Sequence, residues 1–247
     1  MFTTRLTTLL ALAAAAVAMP TANAPSSALV ARGFDCGNPV RGLAREDCQY
    51  LSQIGFAGYG QNPSSGNIWI GNNGPNVFTF SNKATVDVTL VIWDQSNGDA
   101  SSFVTAHAPK ITWTIPRGGS VQVSLQNGVS GGYSGIYRGQ TKISQWGQVG
   151  NTWGEFTTGQ DATINISREI NMSGNIFSAK VSTGCLADMN HCAYVCKSGN
   201  TCGESGTYSL IGCKEQPNNN AGMRGSNPAG GCAGWSNGSG RIDAQFL

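Results

Sequence analysis

The sequence runs to 247 residues, of which 11% are charged, and its 15 basic against 13 acidic side chains resemble no nucleic-acid-binding surface. Thirty-four glycines and 40% apolar residues suit one turn-rich all-β domain, a class that reaches this length undivided. Eight cysteines, an even number, point to four disulfides and an oxidising compartment.

At the start of the chain Arg5 precedes Leu9, Leu10 and an alanine run to Ala18, an apolar stretch too short to span a bilayer. Residues 1–18 read as a secretory signal peptide. Cleavage after Ala18 is favoured over Ala24, because the Ala22-Asn23-Ala24 pattern runs straight into Pro25. Residues 19–35, small and Pro/Ser/Ala-rich through Arg32, read as a short propeptide or a disordered arm. The rest, 36–247, is expected to form a single β domain with a cysteine-rich tail, 185–247. No later segment is apolar enough to cross a membrane, so the expected product is a secreted, extracellular monomer.

Cys36 and Cys48 lie close together, and the simplest pairing joins them. Between them begins the one helical signal, a weak pattern from Leu43 to Ile54. From there the hydrophobic period is two. Ile68–Ile70, Val77–Phe80, Val86–Trp93, Ile111–Ile115 and Val121–Leu125 read as strands rich in β-branched and aromatic residues. The segment around Tyr137 and the runs Trp153–Thr157, Ile164–Ile166, Ile176–Val181, Tyr208–Ile211 and Ile242–Leu247 bring the total to about eleven. Asn72-Asn73-Gly74-Pro75, Asn97-Gly98, Pro116-Arg117-Gly118-Gly119, Asn127-Gly128 and Gly131-Gly132 read as the turns between them. The glycines of 128–132 do not suggest a phosphate loop, since neither the lysine nor the helix of that motif follows.

After a gap of 136 residues without cysteine come Cys185, Cys192, Cys196, Cys202, Cys213 and Cys232. Three bridges among these six would staple a tail whose glycine- and asparagine-rich loops bury little apolar area. Which cysteine pairs with which is open at this stage. His191 beside Cys192 raises a metal site, but the spacings match no standard zinc pattern and secreted thiols oxidise. No metal or cofactor is expected.

The order of landmarks resembles the thaumatin-like proteins. The strand Ile111–Ile115 leads through Pro-Arg-Gly-Gly-Ser to a second strand, then Gly131-Gly132, Ile136-Tyr137-Arg138, Gly154-Glu155-Phe156, Ile164-Asn-Ile-Ser167 and Gly184-Cys185. The similarity covers residues 77–185, somewhat under half the chain, and rests on this order rather than on any one motif. It implies an eleven-stranded antiparallel β-sandwich with a cleft lined by an arginine, a glutamate and several aspartates. Arg138 and Glu155 match the first two. Asn165 stands where the family has an aspartate, and Glu169 is the nearest substitute for the next acid. After Cys185 the pattern departs most, because the family usually carries ten or sixteen cysteines and a larger disulfide-rich second region.

Strand alternation places Ile164 and Ile166 toward the core, with Thr163, Asn165 and Ser167 facing outward beside Trp153, Glu155 and Thr157. Some thaumatin-like proteins hydrolyse β-1,3-glucan weakly, a reaction that needs one protonated and one ionised carboxyl. Glu155 is the candidate acid, and its partner lies among Asp161, Glu169 and Asp243. A neutral Asn165 removes a charge that would raise the pKa of its neighbour. Among the six tryptophans, Trp146 and Trp153 lie near the expected cleft and could stack on a sugar, although core filling is the favoured reading for most of them. The two histidines, His107 and His191, suggest no Ser-His-Asp arrangement. Sequons at Asn165, Asn171 and Asn237 mark acceptor positions, and a glycan on Asn165 would fill the cleft floor.

Recognition is therefore favoured over hydrolysis. The partner would be a cell-wall polysaccharide such as β-glucan, or an extracellular host protein met by a small effector like those secreted by filamentous fungi. Weak endo-β-1,3-glucanase action through Glu155 is the alternative.

Overall fold

Period-two alternation here produces two packed sheets. A computed structural model describes residues 34–95, 108–236 and 238–247. The signal peptide, the arm up to residue 33, the Asn97-Gly98 turn, His107 and Asn237 lie outside the described residues. Among the described residues a single helix, α1 (Arg45–Gln53), precedes β1 (Ser64–Ser65), β2 (Ile68–Ile70), β3 (Asn76–Asn82), β4 (Val88–Asp94), β5 (Ile111–Ile115), β6 (Ser120–Leu125), β7 (Ser130–Tyr137), β8 (Trp153–Thr157) and β9 (Thr163–Ser167). After them come β10 (Phe177–Val181), β11 (Leu186–Ala187), β12 (Ala193–Cys196), β13 (Tyr208–Ile211), β14 (Gly222–Arg224), β15 (Asn227–Ala229), β16 (Cys232–Ala233) and β17 (Gly240–Phe246). No helix among the described residues is long and apolar enough to cross a membrane.

One sheet of seven strands runs in the order β1-β2-β6-β3-β17-β10-β11, and one of eight runs β13-β12-β9-β8-β7-β4-β5, with β16 added beside β9. A two-stranded ribbon, β14-β15, stands apart. The all-β, disulfide-rich class is as expected, but pairing is not purely antiparallel: β17 runs parallel to β3, and β12 parallel to β9. The eleven predicted strands are all present. Six more are only two to four residues long, five of them in the tail beyond Cys185.

The interior faces carry bulky apolar side chains from both sheets, because alternate residues of each strand point the same way. Phe78, Phe80 and Phe246 from the seven-stranded sheet meet Tyr133 and Phe156 from the other in edge-on contacts, with Phe78 and Phe156 centroids 5.1 Å apart. Each of the three phenylalanines from the first sheet is fully enclosed.

A second, smaller core forms on the outer face of the eight-stranded sheet. Helix α1 and the segments around it bring Leu43, Leu51 and Phe56 onto Val91, Trp93, Ile136 and Trp153. Glu46 and Asp47 occupy the first turn of α1, where the helix dipole favours negative charge. The buried Asp47 also accepts from Thr114 Oγ1 at 2.6 Å and pairs with Arg138 Nε at 3.3 Å, pinning the helix to the sheet. Cys36–Cys48 closes this lobe covalently, as the spacing suggested.

Gly131 and Gly132 do not form a turn. They lie inside β7, and the turn before it is made at Gly128, with φ of 78°. A side chain on Gly132 would place its Cβ 2.6 Å from the Trp93 ring, so glycine is required there by close approach rather than by chain reversal.

All eight cysteines are paired. The tail bridges are Cys185–Cys232, Cys192–Cys213 and Cys196–Cys202. The first two pack against each other, with Cys192 and Cys232 sulfurs 3.8 Å apart across the bridges. The tail is thereby woven into the sandwich. Its strands β16 and β12 share one edge of β9, β16 along Thr163–Ile164 and β12 along Ile166–Ser167.

Candidate functional site

Strands β8 and β9 set Glu155 directly opposite Asn165, and β7 sets Gly132 on the other side of Glu155. Because Gly132 has no side chain, the Trp93 indole lies over its backbone. Ile164 and Ile166 point inward and are fully buried, which turns Asn165 and Ser167 to the outer face with Glu155. This outer face is roofed on one flank by the α1 lobe and on the other by the tail. A side chain on Gly231 would collide with the Ile164 carbonyl at 2.3 Å, so glycine allows the tail to close over β9 beside Asn165.

Glu169 follows β9 and turns back toward the same place. Ser167 Oγ donates to Glu169 Oε2 at 3.1 Å. Both carboxyls are half-buried at the surface but crowded by protein around their stems. Burial is the main force on Glu155 and the neighbouring Glu169 charge the second; together they push its pKa up to about 8, against a hydrogen bond from Asn165 that pulls it down. Burial likewise raises Glu169 to about 7, opposed by the Ser167 hydrogen bond. The two titrate as a coupled pair, and both are raised above the ordinary carboxylate range.

Two tyrosines complete the wall. Tyr194 of β12 pairs with Ser167 in the parallel ladder, and its hydroxyl donates to the Gly230 carbonyl at 3.2 Å. Tyr208 of β13 packs edge-on against Tyr194, with centroids 5.9 Å apart. Burial, then the two carboxylates, raises the pKa of both phenols, so they stay protonated at any physiological pH.

Of the residues singled out from sequence, Glu155, Glu169 and Asn165 are brought together. Arg138 is not with them. It lies six residues beyond Gly132 along the chain, about 20 Å at strand rise, and its guanidinium is held by Asp47. Trp153 is buried in the second core, its indole N–H donating to the Val149 carbonyl at 2.8 Å, so it cannot stack on a ligand. Asp161 is exposed on the β8–β9 turn, and Asp243 lies on β17 in the other sheet.

The sequons fare differently. Asn165 is 7% exposed with its amide committed to Glu155, leaving no room for a glycan in the folded chain. Asn171 Nδ2 donates to the Gly150 carbonyl at 3.0 Å, and its oxygen accepts from Ser173 and Asn200. Among the cysteines, the sulfurs of Cys185, Cys192 and Cys232 gather within 4.8 Å, but each is held in a disulfide and offers no thiolate to a metal. His191 is paired with Asp188 at 2.9 Å.

Sequence reading missed Tyr194 and Tyr208 as site residues. Tyr208–Ile211 was legible as a strand, but nothing local tells that β12 runs parallel to β9 with β13 beside it, which brings Tyr194 and Tyr208 toward the carboxyls. Comparison of the chain with protein-family models and with curated proteins returns no match. The fold and site define a disulfide-rich all-β protein with a paired-carboxyl site on one sheet face.

Proposed function

We propose that this groove binds a β-linked cell-wall polysaccharide of the β-1,3-glucan type and hydrolyses it slowly, on a scaffold of thaumatin-like kind. The observation that carries this reading is the Glu155–Glu169 pair. Glycoside hydrolysis needs one carboxyl that keeps its proton and one that gives it up, and neighbouring carboxyls in a crowded site separate those roles. Asn165 alone left the cleft without a second charge; Glu169 supplies it.

Glu155 is the acid in this scheme. It passes its proton to the glycosidic oxygen as the C–O bond breaks, while Glu169 takes a proton from the water that attacks the sugar carbon, or attacks that carbon itself. Either way, one water is added across the broken bond and the shared proton returns to the pair. Tyr194 and Tyr208 remain neutral and apolar beside it.

Recognition without turnover is the second reading, and Asn165 favours it. Its buried amide sits against Glu155, and its Oδ1 has no hydrogen-bond partner. The position thus supplies a neutral amide, rather than a further carboxyl, beside Glu155. Reducing-sugar release from laminarin, measured beside pull-down on laminarin and chitin, separates the two. Release that disappears in Glu155→Gln and Glu169→Gln supports hydrolysis; binding with no release in any of the three proteins supports recognition alone. Neither release nor binding would defeat both and leave a protein partner, as for a secreted effector, as the remaining expectation.

A further inference from the structure

A cavity of about 470 Å³ opens at the far edge of the eight-stranded sheet, between β13 and the β14–β15 ribbon. That lies within the ~300–1,000 Å³ usual for small-molecule sites. Its walls include Tyr208 and Leu210 from β13, Met223 and Pro228 from the ribbon, and Lys197 and Lys214. The cavity is separate from the carboxyl groove, yet Tyr208 belongs to both. From Glu169 a continuous line runs through Ser167, which donates to it at 3.1 Å, to Tyr194 beside Ser167 in the ladder, to the Tyr208 ring 5.9 Å further on, and so into the cavity.

The wall chemistry is mixed in a particular way. An aromatic ring and three apolar side chains offer a surface for the C–H face of a pyranose, and the two ammonium groups offer donors for its hydroxyls. Lys197 Nζ spends one donor on the Gly206 carbonyl at 2.8 Å and keeps two. Met223 is 66% exposed, so a ring laid over it buries apolar surface without stranding a polar group.

We infer that this cavity is a second sugar subsite of the same groove, holding a ring of the polysaccharide that flanks the bond placed at Glu155 and Glu169, with Tyr208 as the surface the two sites share. The inference rests on the polysaccharide reading above and adds a chain-length requirement to it. A short oligosaccharide reaches only the carboxyls. A longer one reaches both and binds more tightly.

The test uses the full protein carrying Glu155→Gln to block turnover, titrated calorimetrically with β-1,3-linked oligosaccharides from the disaccharide to the heptasaccharide. Affinity is expected to rise roughly ten-fold along the series, about the worth of one good aromatic contact. Met223→Ser should remove that rise while leaving disaccharide binding unchanged, and Met223→Leu, which keeps the apolar surface, should retain it. Affinity that does not grow with length, or variants that weaken every length equally, would overturn the subsite and leave the carboxyl groove standing. Failure of every length to bind would overturn the polysaccharide reading and the subsite together.

Discussion

Replacing Glu155 by glutamine should make the protein more stable at pH 8 and change little at pH 5. In the unfolded chain this carboxyl titrates near its ordinary value of 4.5, whereas in the fold it holds its proton to about 8. Below 4.5 both states carry the proton and the group favours neither. As pH rises from there the unfolded state loses the proton and the folded state keeps it, so the stability present in acid is lost progressively. The slope approaches about 1.4 kcal/mol per pH unit for one proton and ends near the folded pKa. The full window would amount to roughly 5 kcal/mol, but the side chain is half-buried rather than sealed, so solvent screening reduces this to about 2–3 kcal/mol. Glutamine has the same shape and no proton to lose. For a domain of this size each kcal/mol moves Tm by ~2–4 °C. Thermal melts of wild type and Glu155→Gln at pH 5 and pH 8 should therefore differ by about 5–10 °C more at the higher pH. An equal difference at both would refute the buried, proton-holding carboxyl on which the proposed chemistry stands.

If laminarin is cleaved, kcat/KM should follow a bell in pH between about 7 and about 8, because activity needs Glu169 ionised and Glu155 protonated. In Glu169→Gln, which should lack turnover, the titration of Glu155 followed by NMR should move to lower pH, since the charge that helps hold its proton is gone; an unmoved titration would show that the two do not interact. Phe78→Ala removes a fully buried ring that touches both sheets and should cost ~3–5 kcal/mol in chemical denaturation. Opening the disulfides by paired Cys→Ser changes should rank by loop. The 47-residue separation of Cys185–Cys232 predicts a loss of about 4 kcal/mol and the 6-residue separation of Cys196–Cys202 about 2 kcal/mol, and equal losses would contradict a loop-entropy origin.

The long strands were legible because their alternating residues are the ones the sandwich buries: Ile111–Ile115 and Trp153–Thr157 appear with the expected bounds. The short tail strands were not. Gly222–Arg224 and Cys232–Ala233 carry no periodicity of their own; β16 is held by pairing with β9 and by the bridge from Cys232. Gly131-Gly132 was misread as a turn because glycine pairs usually mark chain reversal, while here the reason is the Trp93 ring lying on the strand. Glu155 was found because an acid on a half-buried strand is uncommon. Its link to Glu169 depended on the chain folding back after Ser167, and the burial of Asn165 depended on a glycine some sixty-six positions later, at Gly231. Arg138 was expected beside Glu155 from its order along the chain alone, whereas its guanidinium is held by Asp47.

Strand β17 lies in the middle of the seven-stranded sheet, between β3 and β10, with Gly240 set beside Asn76. Until residues 240–246 arrive, the sheet exists only as two unjoined parts, β1-β2-β6-β3 and β10-β11. Their facing edges expose backbone groups and apolar side chains that would pair with any available strand. Closing that gap requires a pairing between residues more than 150 positions apart, the kind of non-local contact expected to slow folding and to leave the open form prone to aggregation. A peptide copying β17, added during refolding, should compete for the gap and trap the open form.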